Sequence, residues 1–169
     1  SISSEYEFAR FAAIDLSGRQ KLKNFLVDYL KSFSYIVDGI TFDSLVLGPG
    51  ELAFKLLVAL YREIGSRVTL DHYRFMHWSP YISELRSIGY QAGIHMYASM
   101  EDVKFVFIFD LNFLHKESIT HFCELLDICH TGKIKMFIAM RDISLLDRLP
   151  DGYSAVVRNK LWMVKINDK

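Results

Sequence analysis

The chain has 169 residues, of which 51% are hydrophobic and 14% are aromatic. This is enough apolar material for a sizeable core, and it excludes an intrinsically disordered chain. Lys plus Arg and Asp plus Glu number 20 each, so the formal net charge at pH 7 is zero. Nucleic-acid-binding proteins usually carry a basic excess, so the composition predicts that neither DNA nor RNA is a partner.

Cysteine content and apolar runs bear on the cellular location. Cys123 and Cys129 lie in one apolar helical pattern, which indicates no disulfide framework and favours a reducing compartment. No stretch approaches the ~20 apolar residues that span a bilayer, and no signal peptide is visible. We therefore expect a cytoplasmic protein without a transmembrane segment. Because the chain begins with Ser1, the alternative is a soluble domain excised from a longer, membrane-anchored protein.

Strand and helix patterns alternate along the chain. In chain order we predict a strand over 8–15, a helix over 22–33, a strand over 41–47, a helix over 51–64, a strand over 67–75, a helix over 80–88, strands over 92–98 and 104–109, a helix over 119–129, a strand over 135–140, a short helix around Leu145 and a strand over 155–166. The alternation predicts an α/β fold with a largely parallel or mixed sheet. We expect one domain over 1–169, or two subdomains at about 1–100 and 101–169. In the second case, two split βαβ halves enclose a cleft.

Several boundaries follow from local signals. Ser17 and Gln20 match a capping box at the start of the first helix. For residues 35–47 two interpretations stay open: short strands over 35–37 and 40–42 that are joined by a tight hairpin turn at Asp38-Gly39, or a single strand over 41–47. The helix over 51–64 is apolar around most of its circumference, which predicts burial on more than one side.

The turn at Gly48-Pro49-Gly50 is the most enzyme-like signal. With Glu51-Leu52-Ala53 it matches G-x-G-x-x-A between a strand and a helix, and Asp71 follows near the spacing of a ribose-binding acid. Gly48, Gly50, Ala53 and Asp71 are therefore candidate dinucleotide-binding residues. Against this, Glu51 puts a negative charge beside the expected pyrophosphate. An ordinary strand-to-helix turn explains the glycines equally well.

Other polar constellations have simpler structural explanations. His121, Cys123, Cys129 and His130 could ligate a metal only if they shared one helix face, and their spacing divides them. Asp110 ends a buried strand like an acid nucleophile, but Asn112 stands where a second carboxylate is needed. The sequence contains neither G-x-x-x-x-G-K-[ST] nor G-x-S-x-G. We therefore predict no metal, no cofactor and no catalytic residue.

Three segments resemble the EAL family of cyclic-di-GMP phosphodiesterases, which are built on a (βα) barrel. Ile14-Asp15-Leu16-Ser17-Gly18-Arg19-Gln20 is similar to V-N-L-S-x-R-Q, and Thr41-Phe42-Asp43-Ser44 is similar to I-T-E-S. Glu63-Ile64-Gly65-Ser66-Arg67-Val68-Thr69-Leu70-Asp71-His72-Tyr73 is similar to E-L-G-x-R-L-A-L-D-D-F. The E-A-L strand itself has no counterpart, so the resemblance implies an incomplete (βα)-barrel-like fold.

The departures from that pattern imply lost catalysis. Asp15 replaces an Asn, Asp43 a Glu, His72 the second Asp of the pair and Met140 a catalytic Glu, while Asp71 is retained. Two-metal hydrolysis needs more carboxylates than remain. The resemblance therefore implies an inactive relative in bacterial signalling.

The leading functional hypothesis is a non-catalytic regulatory or scaffold domain that binds another protein. Its expected contact or vestigial ligand surface comprises Asp43, Asp71, His72, His77 and Trp78, placed at strand ends. The alternative is a nucleotide sensor, which binds a cyclic dinucleotide there or a dinucleotide at Gly48-Pro49-Gly50.

Overall fold

The computed structural model describes residues 10–32 and 44–166, apart from the side chain of Trp162. The strands are β1 (Ser44–Gly48), β2 (Tyr73–His77), β3 (Phe105–Phe109), β4 (Lys135–Ala139) and β5 (Leu161–Lys165). The helices are α1 (Gln20–Ser32), α2 (Glu51–Gly65), α3 (Trp78–Ile88), α4 (Ala92–Ser99), α5 (Ser118–Gly132) and α6 (Asp151–Lys160). Short 3₁₀ turns cover Phe11–Ala13, Leu70–His72, Gly89–Gln91 and Ile143–Arg148.

The five strands form one parallel sheet in the order β2-β3-β4-β1-β5. The α/β class predicted from the sequence is confirmed. The sheet is open rather than closed into a barrel, and every described strand pair is parallel, which is one of the two arrangements that the sequence predicts. Because β1 lies between β4 and β5, strands from both ends of the chain interleave, so the strands do not separate into two βαβ halves.

Two cores cover the two faces of this sheet. Helices α1 and α2 pack on one face, where Phe107 and Phe137 stack with ring centroids 4.8 Å apart. Helices α3 to α6 pack on the other, around Trp78 and Phe122. Every residue of β3 is buried, as its continuous run of apolar residues predicts for a strand covered on both faces.

Helix α2 confirms the expected burial on more than one side. It begins directly after Gly50 and runs along the sheet, and its buried residues cover most of its circumference. Tyr29 of α1 reaches the same sheet face and meets the ring of Phe137 edge-on at 6.5 Å. None of the helices in the described ranges is both long and apolar enough to cross a membrane.

Several predicted elements differ from the observed ones. Residues 92–98 are helical rather than extended, because Ala92 and Met96, one helical turn apart, are the pair that is buried. The last predicted strand is two elements: Pro150 caps helix α6, whose first turn carries Asp151, and β5 begins only after it. Apolar runs as short as 155–157 suit either structure, so periodicity alone did not separate them.

The beginning of the chain also differs. The described part of the predicted strand over 8–15 contains a 3₁₀ turn and no strand. Ser17 does not cap α1, since its hydroxyl and amide both donate to the Asp15 carboxylate. The Asp38-Gly39 hairpin lies outside the described residues.

Candidate functional site at the carboxyl edge of the sheet

The turn from β1 into α2 lies at the carboxyl edge of the sheet. Gly48 is required there by space: a Cβ atom would lie 2.8 Å from the Met140 carbonyl oxygen and 2.8 Å from Cγ1 of Ile143. Gly50, the residue before α2, has a φ of 97°, a conformation that glycine adopts at little cost. The two glycines thus allow a turn of only two residues, Pro49 and Gly50, between strand and helix.

Arg141 is the centre of a charged cluster at this edge. Its guanidinium lies 3.4 Å from a carboxylate oxygen of Glu51 and 3.5 Å from one of Asp110. The same group lies over the Phe54 ring, 4.8 Å from the centroid. Arg141 follows β4, Glu51 opens α2 and Asp110 follows β3, so the cluster joins three connections. The side chain of Asp110 is largely buried, whereas Arg141 and Glu51 are mostly exposed.

The chemistry of this cluster does not favour a bound phosphate. A P-loop surrounds phosphates with backbone N–H groups of a longer glycine-rich loop and adds a lysine and a hydroxyl. Here the turn has no lysine, and the carboxylate of Glu51 already occupies the positive end of the helix dipole. Arg141 balances one of two carboxylates, which leaves the cluster of Arg141, Glu51 and Asp110 negative.

One side-chain amide, that of Asn112, links the segments that follow β2 and β3. Asp110 has a φ of 60°, in the left-handed region. The side-chain N–H₂ of Asn112 donates to the Asp110 carbonyl oxygen at 2.8 Å and to the Ser79 hydroxyl at 3.1 Å. Asn112 therefore stabilises the loop after β3, and no carboxylate pair for phosphoryl transfer forms around it.

The residues of the expected contact surface lie at opposite edges of the sheet. Asp71 and His72 form a 3₁₀ turn before β2, at its amino end and not at a carboxyl tip. His77 ends β2, and Trp78 is completely buried, with its indole N–H donating to the Ser118 hydroxyl at 3.1 Å. Asp43 lies outside the described residues. The four described residues therefore do not form one continuous surface.

The candidate dinucleotide residues are likewise separated. Gly48, Gly50 and Ala53 lie at the carboxyl edge, while Asp71 lies at the amino end of β2. In a dinucleotide fold the second strand is the neighbour of the first, which brings the acid to the ribose. Here β1 is flanked by β4 and β5, so that relation is lost.

The predicted absence of a metal site on α5 stays a prediction, although the geometry gives no reason to revise it. Within residues 10–32 and 44–166, no group of three or more His, Cys, Asp or Glu side chains could hold a metal ion. Burial raises the pKa of the Cys129 thiol to about 12, which opposes the thiolate that a metal needs. His121 lies 3.2 Å from the carboxylate of Glu124, its neighbour on the same helix.

Solved structures resemble this fold although the sequence itself matches nothing. No protein-family model and no curated protein matches the chain. The crystal structure of DnaI aligns with a TM-score of 0.74 and 15% identity, covering 98% of this chain and 95% of DnaI. A candidate primosome component from Streptococcus pyogenes serotype M3 aligns at 0.68 and 13% identity, covering 99% and 90%. The replication initiator DnaA, solved with AMPPCP and single-stranded DNA, aligns at 0.69 and 13%, covering 90% of this chain and 47% of DnaA.

These comparisons overturn the family resemblance. The chain shares its open parallel sheet with these solved structures, and this is not the barrel on which the EAL family is built, so the assignment to an inactive EAL relative in bacterial signalling is wrong. The matched segments of Ile14–Gln20 and Glu63–Tyr73 are irregular turns and helix ends here rather than barrel strands. Short strings of common residues produced the resemblance, and no complete motif supported it.

The function and partner predictions need the same correction. A replication initiator solved with single-stranded DNA shares the fold, so the scaffold hypothesis, its nucleotide-sensor alternative and the exclusion of nucleic acid are not supported. The exclusion of nucleic acid relied on net charge, which averages over the surface and does not report local features. Sequence reasoning also missed Arg141 as a site residue, although its position directly after a buried strand was a usable signal.

Proposed function

We propose that this chain acts in the initiation of DNA replication and contacts single-stranded DNA. The observation that carries the proposal is the shared fold: the replication initiator DnaA, the primosome component and DnaI each align over 90% or more of this chain. One of them is solved with single-stranded DNA, and two of them are similar to this chain in length. The cytoplasmic location expected from the sequence fits such a role.

An exposed stripe on the helical hairpin between β2 and β3 supports the DNA contact. Tyr90, Ile94 and Tyr97 are 95%, 73% and 71% exposed, which is unusual for large apolar side chains. Their spacing of four and three residues puts them on one face of α4 and of the turn that leads into it. The exposed phenol rings of Tyr90 and Tyr97 offer stacking platforms for successive unpaired bases. Stacking of this kind needs no sequence-specific contacts.

The formal neutrality of the chain does not oppose this contact. Stacking of a base on an aromatic side chain contributes ~1–3 kcal/mol by alanine substitution, independently of charge. Residues 89–99 contain neither an acidic residue nor Lys or Arg, so phosphates meet no repulsion on this segment. We therefore attribute affinity for DNA mainly to stacking and only slightly to phosphate neutralisation.

Fluorescence anisotropy with a labelled oligo-dT tests the proposal. We expect Tyr90→Ala and Tyr97→Ala each to weaken binding by about tenfold, since a base loses its stacking partner. Tyr97→Phe should bind like the unmodified chain. Leu114→Ala is the matched control, because Leu114 is also highly exposed but lies on the loop after β3.

Two outcomes would contradict the proposal. The first is the absence of any binding to single strands by a chain whose melting curve shows that it is folded. The second is equal binding of a duplex of the same length, since paired bases do not offer their faces for stacking.

A further inference from the structure

A groove lies beside β5, the strand at one edge of the sheet, away from the Tyr90 stripe. Its volume is about 440 Å³, and its apolar lining comes from Ile143, Leu146, Val157 and Met163. These residues belong to the 3₁₀ turn after β4, to α6 and to β5 itself. All four are aliphatic or thioether side chains, so the groove suits aliphatic groups, and no aromatic ring is among the described residues that line it.

Within residues 10–32 and 44–166, the backbone edge beside this groove is open to another strand. The Ile166 N–H donates to the Gly48 carbonyl oxygen at 2.6 Å, which fixes the backbone face that β5 turns towards β1. Since alternate residues of a strand direct their N–H and C=O groups to opposite edges, those of Met163 and Lys165 point away from the sheet. Among the described residues, no strand pairs with that outer edge.

The charges around the groove indicate the chemistry of its partner. Arg158 and Lys165 line it, and residues 152–166 contain Arg158, Lys160 and Lys165 but no acidic residue. Arg158 forms an ion pair with Asp147, whereas Lys165 has no ion-pair partner among the described residues. The rim therefore favours carboxylates, and Asp147 on the same rim opposes a continuous phosphate backbone.

We propose that the outer edge of β5 and this groove bind an extended acidic peptide segment of another protein. The segment adds a strand to the sheet through the backbone groups of Met163 and Lys165. Its alternate aliphatic side chains fill the groove, and its carboxylates pair with Lys165 and Arg158. Addition of a strand to a free edge is an established mode of peptide binding, in which the backbone supplies affinity and the pockets supply specificity.

A labelled, end-blocked peptide that alternates glutamate and valine tests this proposal by fluorescence anisotropy with the full chain. We expect Lys165→Glu and Arg158→Glu each to weaken binding by about tenfold or more, because each turns an attraction into a repulsion. Both side chains are exposed, so the melting temperature should change little. Lys55→Glu, an equal charge change on α2 at the other face of the sheet, should leave binding unchanged.

A second peptide separates strand addition from simple charge attraction. Methylation of alternate backbone nitrogens removes the donors that pair with β5 and leaves the side chains unaltered, so we expect binding to fall below detection. Equal binding of a lysine-valine peptide, or retention of binding by both the charge-reversed variants and the methylated peptide, would overturn the proposal. Displacement of the peptide by oligo-dT that persists in Tyr90→Ala would assign the edge to nucleic acid instead.

Discussion

Arg141 is a cation that lies beside two carboxylates at the carboxyl edge of the sheet. Three connections meet at the carboxyl ends of β1, β3 and β4, and two of them bring carboxylates, from Glu51 and Asp110. The guanidinium is planar, so it can lie over the Phe54 ring while its N–H groups face both acids. The guanidinium of Arg141 thus partly neutralises an edge to which the fold brings two carboxylates.

We expect Arg141→Ala to lower the free energy of unfolding by about 1–2 kcal/mol. Each exposed ion pair contributes ~0–1 kcal/mol after solvent screening, and the cation–π contact adds ~0.5–1 kcal/mol. Urea unfolding measures the change. Arg141→Lys keeps the charge but loses the flat stacking geometry, so its loss should be intermediate. An unchanged midpoint in Arg141→Ala would mean that the cluster contributes nothing to stability.

The elements that were predicted correctly have hydrophobic patterns that fit only one type of secondary structure. The run Phe105–Phe109 is continuously apolar and too short for a helix between its polar ends, and α2 is too long for a strand. The prediction for residues 92–98 was wrong because apolar residues there alternate as in a strand, while Ala92 and Met96 are also one helical turn apart, and it is this pair that is buried. Tertiary contacts, which the sequence does not display, outweighed local propensity.

The site was less accessible to prediction than the fold. The Gly48-Pro49-Gly50 turn was found because glycines mark close approach, and Glu51 was recognised as unfavourable for phosphate. The position of Arg141 after a buried strand was a usable signal, but its place beside that turn could not be predicted, because strand order and not sequence distance brings β4 beside β1. The exposed Tyr90 stripe was hidden for the opposite reason: aromatic residues are usually buried, and exposure appears only in the folded chain.

At the scale of elements, the junction between β1 and the turn after β4 should be sensitive to added volume. We expect Gly48→Ala to destabilise the protein by ~1–3 kcal/mol, because the new methyl group must displace the Met140 carbonyl and Ile143. Gly152→Ala is the matched control: nothing lies within 4 Å of a Cβ there, and its site in α6 should gain ~0.4–1 kcal/mol. Chemical denaturation of both variants measures this difference, and equal effects would refute the crowding at Gly48.

On the scale of the whole molecule, charged residues are distributed unevenly over the surface. At the carboxyl edge Arg141 pairs with Glu51 and Asp110, residues 89–99 around the Tyr90 stripe contain no Lys, Arg, Asp or Glu, and residues 152–166 contain three cationic residues and no acidic one. The net charge of zero is therefore a sum over regions that differ in charge, and the surface is not uniformly neutral. Each region can select a different partner, which a composition-based exclusion of nucleic acid could not detect.

The absence of Lys and Arg from residues 89–99 predicts that DNA binding depends only weakly on salt concentration. The slope of log K against log salt concentration is about −0.7 for each phosphate neutralised on a single strand, and residues 89–99 supply no Lys or Arg. We therefore expect a slope between zero and about −1.5, measured by anisotropy with oligo-dT across a salt series. Lys165→Glu should leave this slope unchanged, because it lies on the β5 edge. A slope steeper than about −3 would show that several cations hold the strand, which contradicts binding by stacking on α4.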